Sequence, residues 1–404
     1  MKYAILLGDG MADHPLAALG DKTPLEYACI PNMDRISAGG TLGLIDTIPS
    51  GFTPGSDVAN LAVLGCDPNV CYTGRGPLEA ASMGITLAPA ETAFRCNLVT
   101  LGDDRNPIME DFTAGHISSE EARQLIVDLD RTVGSDRFRF HPGVGYRHLL
   151  VWTADGADVM ATPPHDIIGK WYEPHLPSGQ DADQIISLIR RSREFLADHP
   201  VNRQRLSEGK KPATTIWPWG QGRAPRIRKI TERFNIRGGM ISAVDLLNGI
   251  GIYAGFEVIS VPGATGYADT NYLGKASKAL DALKRVDLIF VHVEAPDEMG
   301  HEGNLEGKIK AIEDFDEKVV GTILHEISCF GAYRIAVLSD HPTPVRLRTH
   351  TAEPSPIAVL SSDGEENQAK GFAFTEKNAV KSRNLISPGH LFLEHFVGDG
   401  RFFR

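Results

Sequence analysis

Asp9, Ser56, Asp297, His301, Asp340, His341 and His350 have side chains suited to a two-metal centre built around a hydroxyl nucleophile. Six of them offer carboxylate or imidazole donors, supplied from three separate segments. Two divalent ions clamping a phosphoryl group need about this many hard or borderline ligands. Asp297 and His301 lie four residues apart in Glu294–Gly303, a spacing that holds one ion from one helical face. Pro296, Gly300 and Gly303 favour a ligand-bearing loop there over a long helix. Asp340-His341 precedes Pro342-Thr343-Pro344, which fixes a rigid turn. Adjacent residues on an extended turn point in different directions, so this pair could serve two ions. Each residue also has an ordinary structural reading: Asp9 as a turn residue between glycines, His350 as a lone structural histidine, Ser56 as a helix N-cap. The N-terminus of a helix is also where free N–H groups favour an anion, and a metal-ligated serine there can act as a nucleophile at neutral pH.

The elements that must carry these residues follow from hydrophobic patterning. Tyr3–Leu7 is a continuous apolar run closed by Gly8-Asp9-Gly10, as expected of a strand buried on both faces of a parallel sheet. Val286–Val293 runs into Glu294 and Asp297, and Arg334–Leu338 runs into Asp340-His341. Phe256–Val261 is a fourth strand candidate. From Asn304 onward, Ile309, Ile312, Phe315, Val319, Ile323 and Ile327 recur at helical spacing. Strands alternating with helices make an α/β sheet, where ligands sit beyond the carboxyl ends of the strands. Asp9, Asp297, Asp340 and His341 all fall just past such ends, which is the argument that they meet.

The middle of the chain has a different texture. Ser118–Glu121 reads as a capping box opening a helix to about Arg131, and a second helix runs from about Asp181 to Ala197. Pro-rich stretches surround them. We expect an inserted domain over 82–235, within a discontinuous domain formed by 1–81 and 236–404.

At 404 residues, 42% hydrophobic and 23% charged, the chain has the composition of a soluble two-domain protein. Its apolar runs are too short to span a membrane, and its N-terminus reads as a strand, not a signal peptide. A net charge of −11 argues against nucleic-acid binding. Five cysteines without a CxxC pattern suit a reducing cytoplasm. The basic stretch Arg203–Arg237 reads either as a solvated surface or as an anion-facing wall. Oligomeric state has no signal in the sequence.

Taken in order, Leu7-Gly8-Asp9-Gly10, Pro54-Gly55-Ser56-Asp57, Gly74–Glu79, Asp297-x-x-Gly300-His301, Ser339–Pro344 and Thr349-His350-Thr351 resemble the archaeal-type cofactor-independent phosphoglycerate mutases of the alkaline phosphatase superfamily. The resemblance spans essentially the whole chain. It implies an alkaline-phosphatase-like, mostly parallel α/β sheet with helices on both faces, and a smaller inserted α/β substrate domain. It implies that Ser56 accepts the phosphoryl group of 3-phosphoglycerate and returns it to the 2-oxygen. Asp9, Ser56, Asp340 and His341 would hold one ion, and Asp297, His301 and His350 the other. Mn²⁺ is the expected metal, with Zn²⁺, Co²⁺ or Mg²⁺ as alternatives. The partner is a small phosphorylated metabolite.

For the substrate domain, His116, Arg147, His165 and Asp166 resemble family positions. Arg75 reads as a phosphate or carboxylate contact and Lys275 as a cleft lysine. One departure stands out. Where the family carries an arginine-bearing R-G-x-G element, this chain has Trp217-Pro218-Trp219-Gly220-Gln221-Gly222. That form resembles a bacterial subgroup proposed as homoserine kinase, which would keep the metal and serine chemistry and change the acceptor.

Overall fold

A computed structural model describes residues 1–103, 105–154, 157–363 and 371–400 of the chain. Two compact units emerge: Met1–Tyr72 with Arg226–Arg404, and Thr73–Pro225. The expected boundaries at 81/82 and 235/236 are both displaced, so the helix Arg75–Ser82 goes with the small unit and the helix Ile230–Phe234 with the large one.

The large unit contains strands β1 (Lys2–Gly8), β2 (Thr41–Ile45), β8 (Gly238–Ile241), β9 (Glu257–Val258), β10 (Leu288–Val293), β11 (Tyr333–Leu338), β12 (Ser355–Ser361) and β13 (Leu385–Ile386). They form one sheet in the order β13-β2-β12-β11-β1-β10-β8-β9. β1 is central and parallel to both β10 and β11, with Ile5 opposite Phe290 on one side and Ala336 on the other. Only β12 runs antiparallel to its neighbours. Of the expected strand Phe256–Val261, only Glu257 and Val258 pair, at the sheet edge where both are exposed.

The apolar run of β1 is buried throughout because both faces are covered. Ala4, Leu6, Ile289, Val291, Ile335 and Val337 share one core with Ala276, Ala279 and Leu283 of the helix Tyr272–Leu283 and with Ile312, Phe315 and Val319. Asn304 caps the helix Leu305–Asp314 by accepting from Gly307 N–H, and a π-helical segment, Phe315–Gly321, continues it. Register therefore sets the carboxyl ends of β1, β10 and β11 side by side.

The small unit holds β3 (Glu91–Leu101), β4 (Met109–Asp111), β5 (Phe138–His141), β6 (Arg147–Thr153) and β7 (Thr215–Arg223), an antiparallel sheet with β3 paired to β4, β6 and β7. The Ser118 capping box forms as expected and opens the helix Ser119–Thr132. The second expected helix spans Ala182–Ala197.

The basic stretch is divided between the units, with Arg203–Arg223 in the small one and Arg226–Arg237 in the large one. Arg205 is buried, paired with Glu121 at 2.8 Å and donating to the Ala114 carbonyl at 2.7 Å. Arg233 pairs with Glu394 and Arg237 with Asp287. Among the described residues no helix is long and apolar enough to cross a membrane.

Candidate active site

Asp9 leaves the end of β1 with its N–H bonded to the Val293 carbonyl of β10 at 2.9 Å. Gly10 follows with a left-handed φ of 59°, and an added Cβ would stand 2.6 Å from Asp297 Oδ1 and 2.5 Å from Thr343 Oγ1. Glycine is needed here for conformation and for room. Its N–H donates to Asp340 Oδ1 at 3.2 Å, tying the loop after β1 to the loop after β11.

Asp297 and His301 do not sit on a loop as expected. They occupy a short helix, Ala295–Glu302, with Pro296 in its first turn and Gly303 closing it in the left-handed conformation. Proline is tolerated there because that N–H would be unpaired anyway. Gly300 is accepted because the helix packs against Thr343, whose carbonyl would lie 2.5 Å from any Cβ. The spacing of four then sets His301 Nε2 at 3.2 Å from Asp297 Oδ2.

Ser56 is not an N-cap. Gly55 holds that position, and Ser56 is the first residue of the buried helix Ser56–Val63. Its Oγ lies 3.2 Å from His341 Nε2, which is also 3.5 Å from Asp9 Oδ1 and 3.6 Å from Asp340 Oδ2. Asp340 and His341 thus turn toward one cluster instead of diverging. Asn60 Nδ2, on the next turn of the helix, donates to Asp340 Oδ2 and to the Ser56 carbonyl, both at 2.9 Å.

All seven expected ligands meet in the large unit, as two groups: Asp9, Asp340 and His341, with Ser56 against them, and Asp297, His301 and His350. Thr343 joins the groups. Its hydroxyl donates to Asp297 Oδ1 and accepts from His341 Nδ1. His301 Nδ1 faces the Arg348 carbonyl at 3.1 Å and His350 Nδ1 the Pro54 carbonyl at 3.2 Å. Carbonyls only accept, so each Nδ1 carries a proton and each Nε2 faces inward, the two 2.9 Å apart with the Asp297 carboxylate beside them. At that distance at least one Nε2 must bind a cation, which can be a proton or a metal ion. Orientation by outer hydrogen bonds is how metal-binding imidazoles are held.

The electrostatics agree. Burial raises the Asp9 carboxyl well above its usual range, and Asp340, Glu294 and Asp297 push it further. Asp9 Oδ1 is buried without a hydrogen-bond partner. Burial also acts to raise Asp297, but hydrogen bonds from His301 and His350 hold it well below the usual range. His301 is pushed up to about 9, chiefly by its bond to Asp297. The donor set of carboxylates, imidazoles and one hydroxyl fits divalent cations.

Residues outside the expected set also belong here. His292, at the end of β10, donates from Nε2 to Asp9 Oδ2 at 2.8 Å and lies 3.3 Å from Glu294 Oε2. Asp9, His292 and Glu294 form a third group with ligand spacing. A lone polar residue inside the apolar run of β10 was the only sequence signal for His292. Lys275 is no cleft or surface lysine: it is fully buried and donates to the His292 carbonyl at 2.9 Å.

In the small unit, Arg75, Arg147 and His165 gather around a residue that sequence reasoning missed. Arg95 of β3 stacks its guanidinium 4.3 Å over the Trp219 ring, and the His165 ring meets the same indole edge-on at 5.2 Å. Burial chiefly, and then the charges of Arg75 and Arg147, disfavour the charged form of Arg95, while Glu79 favours it. Asp166 is exposed, 3.7 Å from His165. His116 is exposed on a turn where Ala114, Gly115 and His116 all have positive φ.

The Trp-Pro-Trp segment lies within β7. Trp217 and Trp219 are buried, and their indole N–H groups donate to the Thr162 carbonyl and to Asn97 Oδ1.

Residues 37–202 match the family model described as 2,3-bisphosphoglycerate-independent phosphoglycerate mutase. A protein of that name from Methanosarcina barkeri is 53% identical over 97% of this chain and 98% of its own length. One from Methanosarcina acetivorans is 52% identical over 95% of this chain and 96% of its own. The chain belongs to this family. The solved structure of a cofactor-independent phosphoglycerate mutase from Thermoplasma acidophilum superposes with a TM-score of 0.66 at 26% identity, covering 98% of this chain and all of that one. Family membership on this scale overrides the homoserine kinase reading of Trp217–Gly222, which rested on six residues.

Proposed function

We propose that the chain interconverts 3-phosphoglycerate and 2-phosphoglycerate through a phosphoserine on Ser56. The observation that carries this reading is a buried serine hydroxyl 3.2 Å from His341 Nε2, within a ligand set matching two ions. Asp9, Ser56, Asp340 and His341 would hold one ion and Asp297, His301 and His350 the other, with Mn²⁺ the expected metal. When bound, the two ions favour the serine alkoxide and neutralise charge on the transferring phosphoryl group.

The chain's own residues do the positioning. Asn60 holds both the Ser56 backbone and Asp340, so nucleophile and ligand move as one piece. Thr343 fixes Asp297 and His341 with a single hydroxyl. Ser56 Oγ bonds to phosphorus as the bond to the 3-oxygen of glycerate breaks, and the proton lost by the serine is returned to that oxygen. The 2-oxygen then attacks the phosphoserine, releasing Ser56 and reversing the proton transfer. The glycerate must stay bound and reorient between the two steps. Arg75, His116, Arg147, His165 and Asp166 are the proposed substrate contacts. The site acts on a small phosphorylated metabolite, and five cysteines without a disulfide agree with a cytoplasmic setting.

The test is direct. Purified protein with Mn²⁺ and 3-phosphoglycerate should yield 2-phosphoglycerate by ³¹P NMR without added bisphosphoglycerate. Absence of conversion at micromolar enzyme sinks the reading.

A further inference from the structure

Cys66 stands where two helices of the large unit join. Leu64 is the C-cap of the helix Ser56–Val63, and Gly65 follows with a left-handed φ of 74°. Gly65 N–H donates to the Ala62 carbonyl at 2.8 Å and Cys66 N–H to the Leu61 carbonyl at 2.9 Å. Such a pair of bonds closes a helix that ends in a left-handed glycine, and it fixes the next residue against the helix end. Asp67 then caps the helix Pro68–Cys71, its carboxylate accepting from Asn69 N–H at 3.0 Å. Cys66 is therefore the residue before the cap, and Cys71 is the fourth residue of the helix. Those two positions pack side chain on side chain in a capped helix, where apolar residues commonly meet. Here both carry free thiols, both are buried, and the thiols share a hydrogen bond.

The same segment touches both ends of the helix that carries Ser56. Cys66 closes its carboxyl end. Tyr72, which follows Cys71, donates its hydroxyl to Asp57 Oδ2 at 2.6 Å at the amino end, beside Ser56. Residues 66–72 thus form a bracket around that helix.

The two thiols differ in character. Their mutual hydrogen bond lowers Cys71 below the ordinary thiol range, against burial, and raises Cys66, which burial raises further. The Cys71 sulfur accordingly has the greater thiolate character, with Cys66 as its donor. Arg233 donates to the Gly65 carbonyl at 3.1 Å, which sets a cation close to the pair. The site is buried but shallow, for Cys66 and Cys71 are 6% and 7% exposed and the adjoining Val70 is 69% exposed. A thiol with thiolate character beside a second thiol is the arrangement of a redox-responsive cysteine and its resolving partner.

We propose that Cys66 and Cys71 are a reversible thiol–disulfide pair, a modification site whose closure locks the bracket around the Ser56 helix. Hydrogen peroxide is the oxidant. The Cys71 sulfur attacks one peroxide oxygen, the O–O bond breaks, and the leaving hydroxide takes the Cys71 proton to become water. The Cys66 sulfur then attacks the sulfenic acid on Cys71. The S–S bond forms as the S–O bond breaks, and the hydroxide leaves as water with the Cys66 proton. Two thiols lose two electrons while one peroxide becomes two waters. The sulfurs close from hydrogen-bond contact to about 2.05 Å, a small movement for side chains already packed together. A dithiol reverses the change by exchange, being oxidised in turn. The proposal is independent of the mutase reading.

The experiment treats the full chain with hydrogen peroxide, alkylates it with iodoacetamide and maps its peptides by mass spectrometry. Cys66 and Cys71 should be found joined and unalkylated, and dithiothreitol before alkylation should return both thiols. Hydrogen–deuterium exchange then compares the reduced and oxidised forms. Amides of residues 61–72 should exchange roughly tenfold more slowly after oxidation, because opening the bracket must then proceed around a covalent bond. Cys66→Ser and Cys71→Ser should show no such slowing. Alkylation of both thiols after peroxide, or a sulfinic acid on Cys71 without a crosslink, overturns the pair. Exchange unchanged by oxidation, or slowed equally in Cys66→Ser, overturns the lock. The crosslink and the change in exchange are both read in wild type, so a serine variant that fails to fold leaves the test intact.

Discussion

Ser56 Oγ and His341 Nε2 lie 3.2 Å apart although 285 residues separate them in the chain. The serine is freed from capping its helix because Gly55 takes that position. The histidine is turned toward it because its Nδ1 is engaged by Thr343. Together they place a hydroxyl where a ligated ion would meet it.

Ser56→Ala should therefore lower kcat by roughly three orders of magnitude or more. Three other side chains remain in its metal group, so metal content by plasma mass spectrometry should stay close to wild type. Wild type stopped by acid during turnover should carry a phosphoserine that the variant lacks.

Removing Asp340 should do more. Its two oxygens accept from Gly10, His341 and Asn60 as well as facing the cluster. Asp340→Ala should lose at least one bound ion per chain and its activity. Chelation of wild type should likewise abolish turnover, and Mn²⁺ should restore it. His350→Ala should lose an ion from the other group and leave Ser56 in place.

Gly74 and Gly84 both have positive φ but differ in their surroundings. A Cβ on Gly74 would overlap the Gln221 carbonyl, whereas Gly84 has nothing within 4 Å. Gly84→Ala should cost about 1 kcal/mol, the conformational term alone. Gly74→Ala must also displace backbone and should cost about 3 kcal/mol or more. Denaturant unfolding of the two variants measures the difference.

Burial alone pushes His148 down to about 3. The folded chain holds this ring neutral while the unfolded chain protonates it near 6.5, so stability from His148 is present above 6.5 and lost as pH falls toward 3. His148→Asn should flatten the dependence of melting temperature on pH in that window, with the greatest difference from wild type at its acid end. A slope unchanged by the substitution refutes this assignment.

Lys308 is fully buried and donates to Asp13 Oδ2 at 2.8 Å, to the Ala12 carbonyl at 3.2 Å and to the Thr343 carbonyl at 2.8 Å. It clamps the loop after Asp9 to the loop after Asp340. Lys308→Met leaves Asp13 buried and unpaired, and should cost about 3–5 kcal/mol. Adding Asp13→Asn should recover part of that loss, measured by the same unfolding assay.

The sequence by itself determined the ligand inventory and its placement after buried parallel strands. Asp9, Asp340 and His341 were legible because an apolar run that ends in a polar turn has one meaning in a parallel sheet. That common placement argued for convergence, but the distances between atoms were not legible, because they depend on register between strands far apart in the chain. The glycines beside Asp297 suggested a loop, and only packing against Thr343 makes them compatible with a helix. His292 and Arg95 each interrupt an apolar strand, and nothing local says whether such a residue faces a site or is merely satisfied. Trp219 looked like a lost positive charge, yet it supports one carried by the neighbouring strand. Side-chain chemistry is a property of residues and can be read one at a time. Which atoms share a few ångströms is a property of the whole packed sheet, so tertiary structure alone decided it.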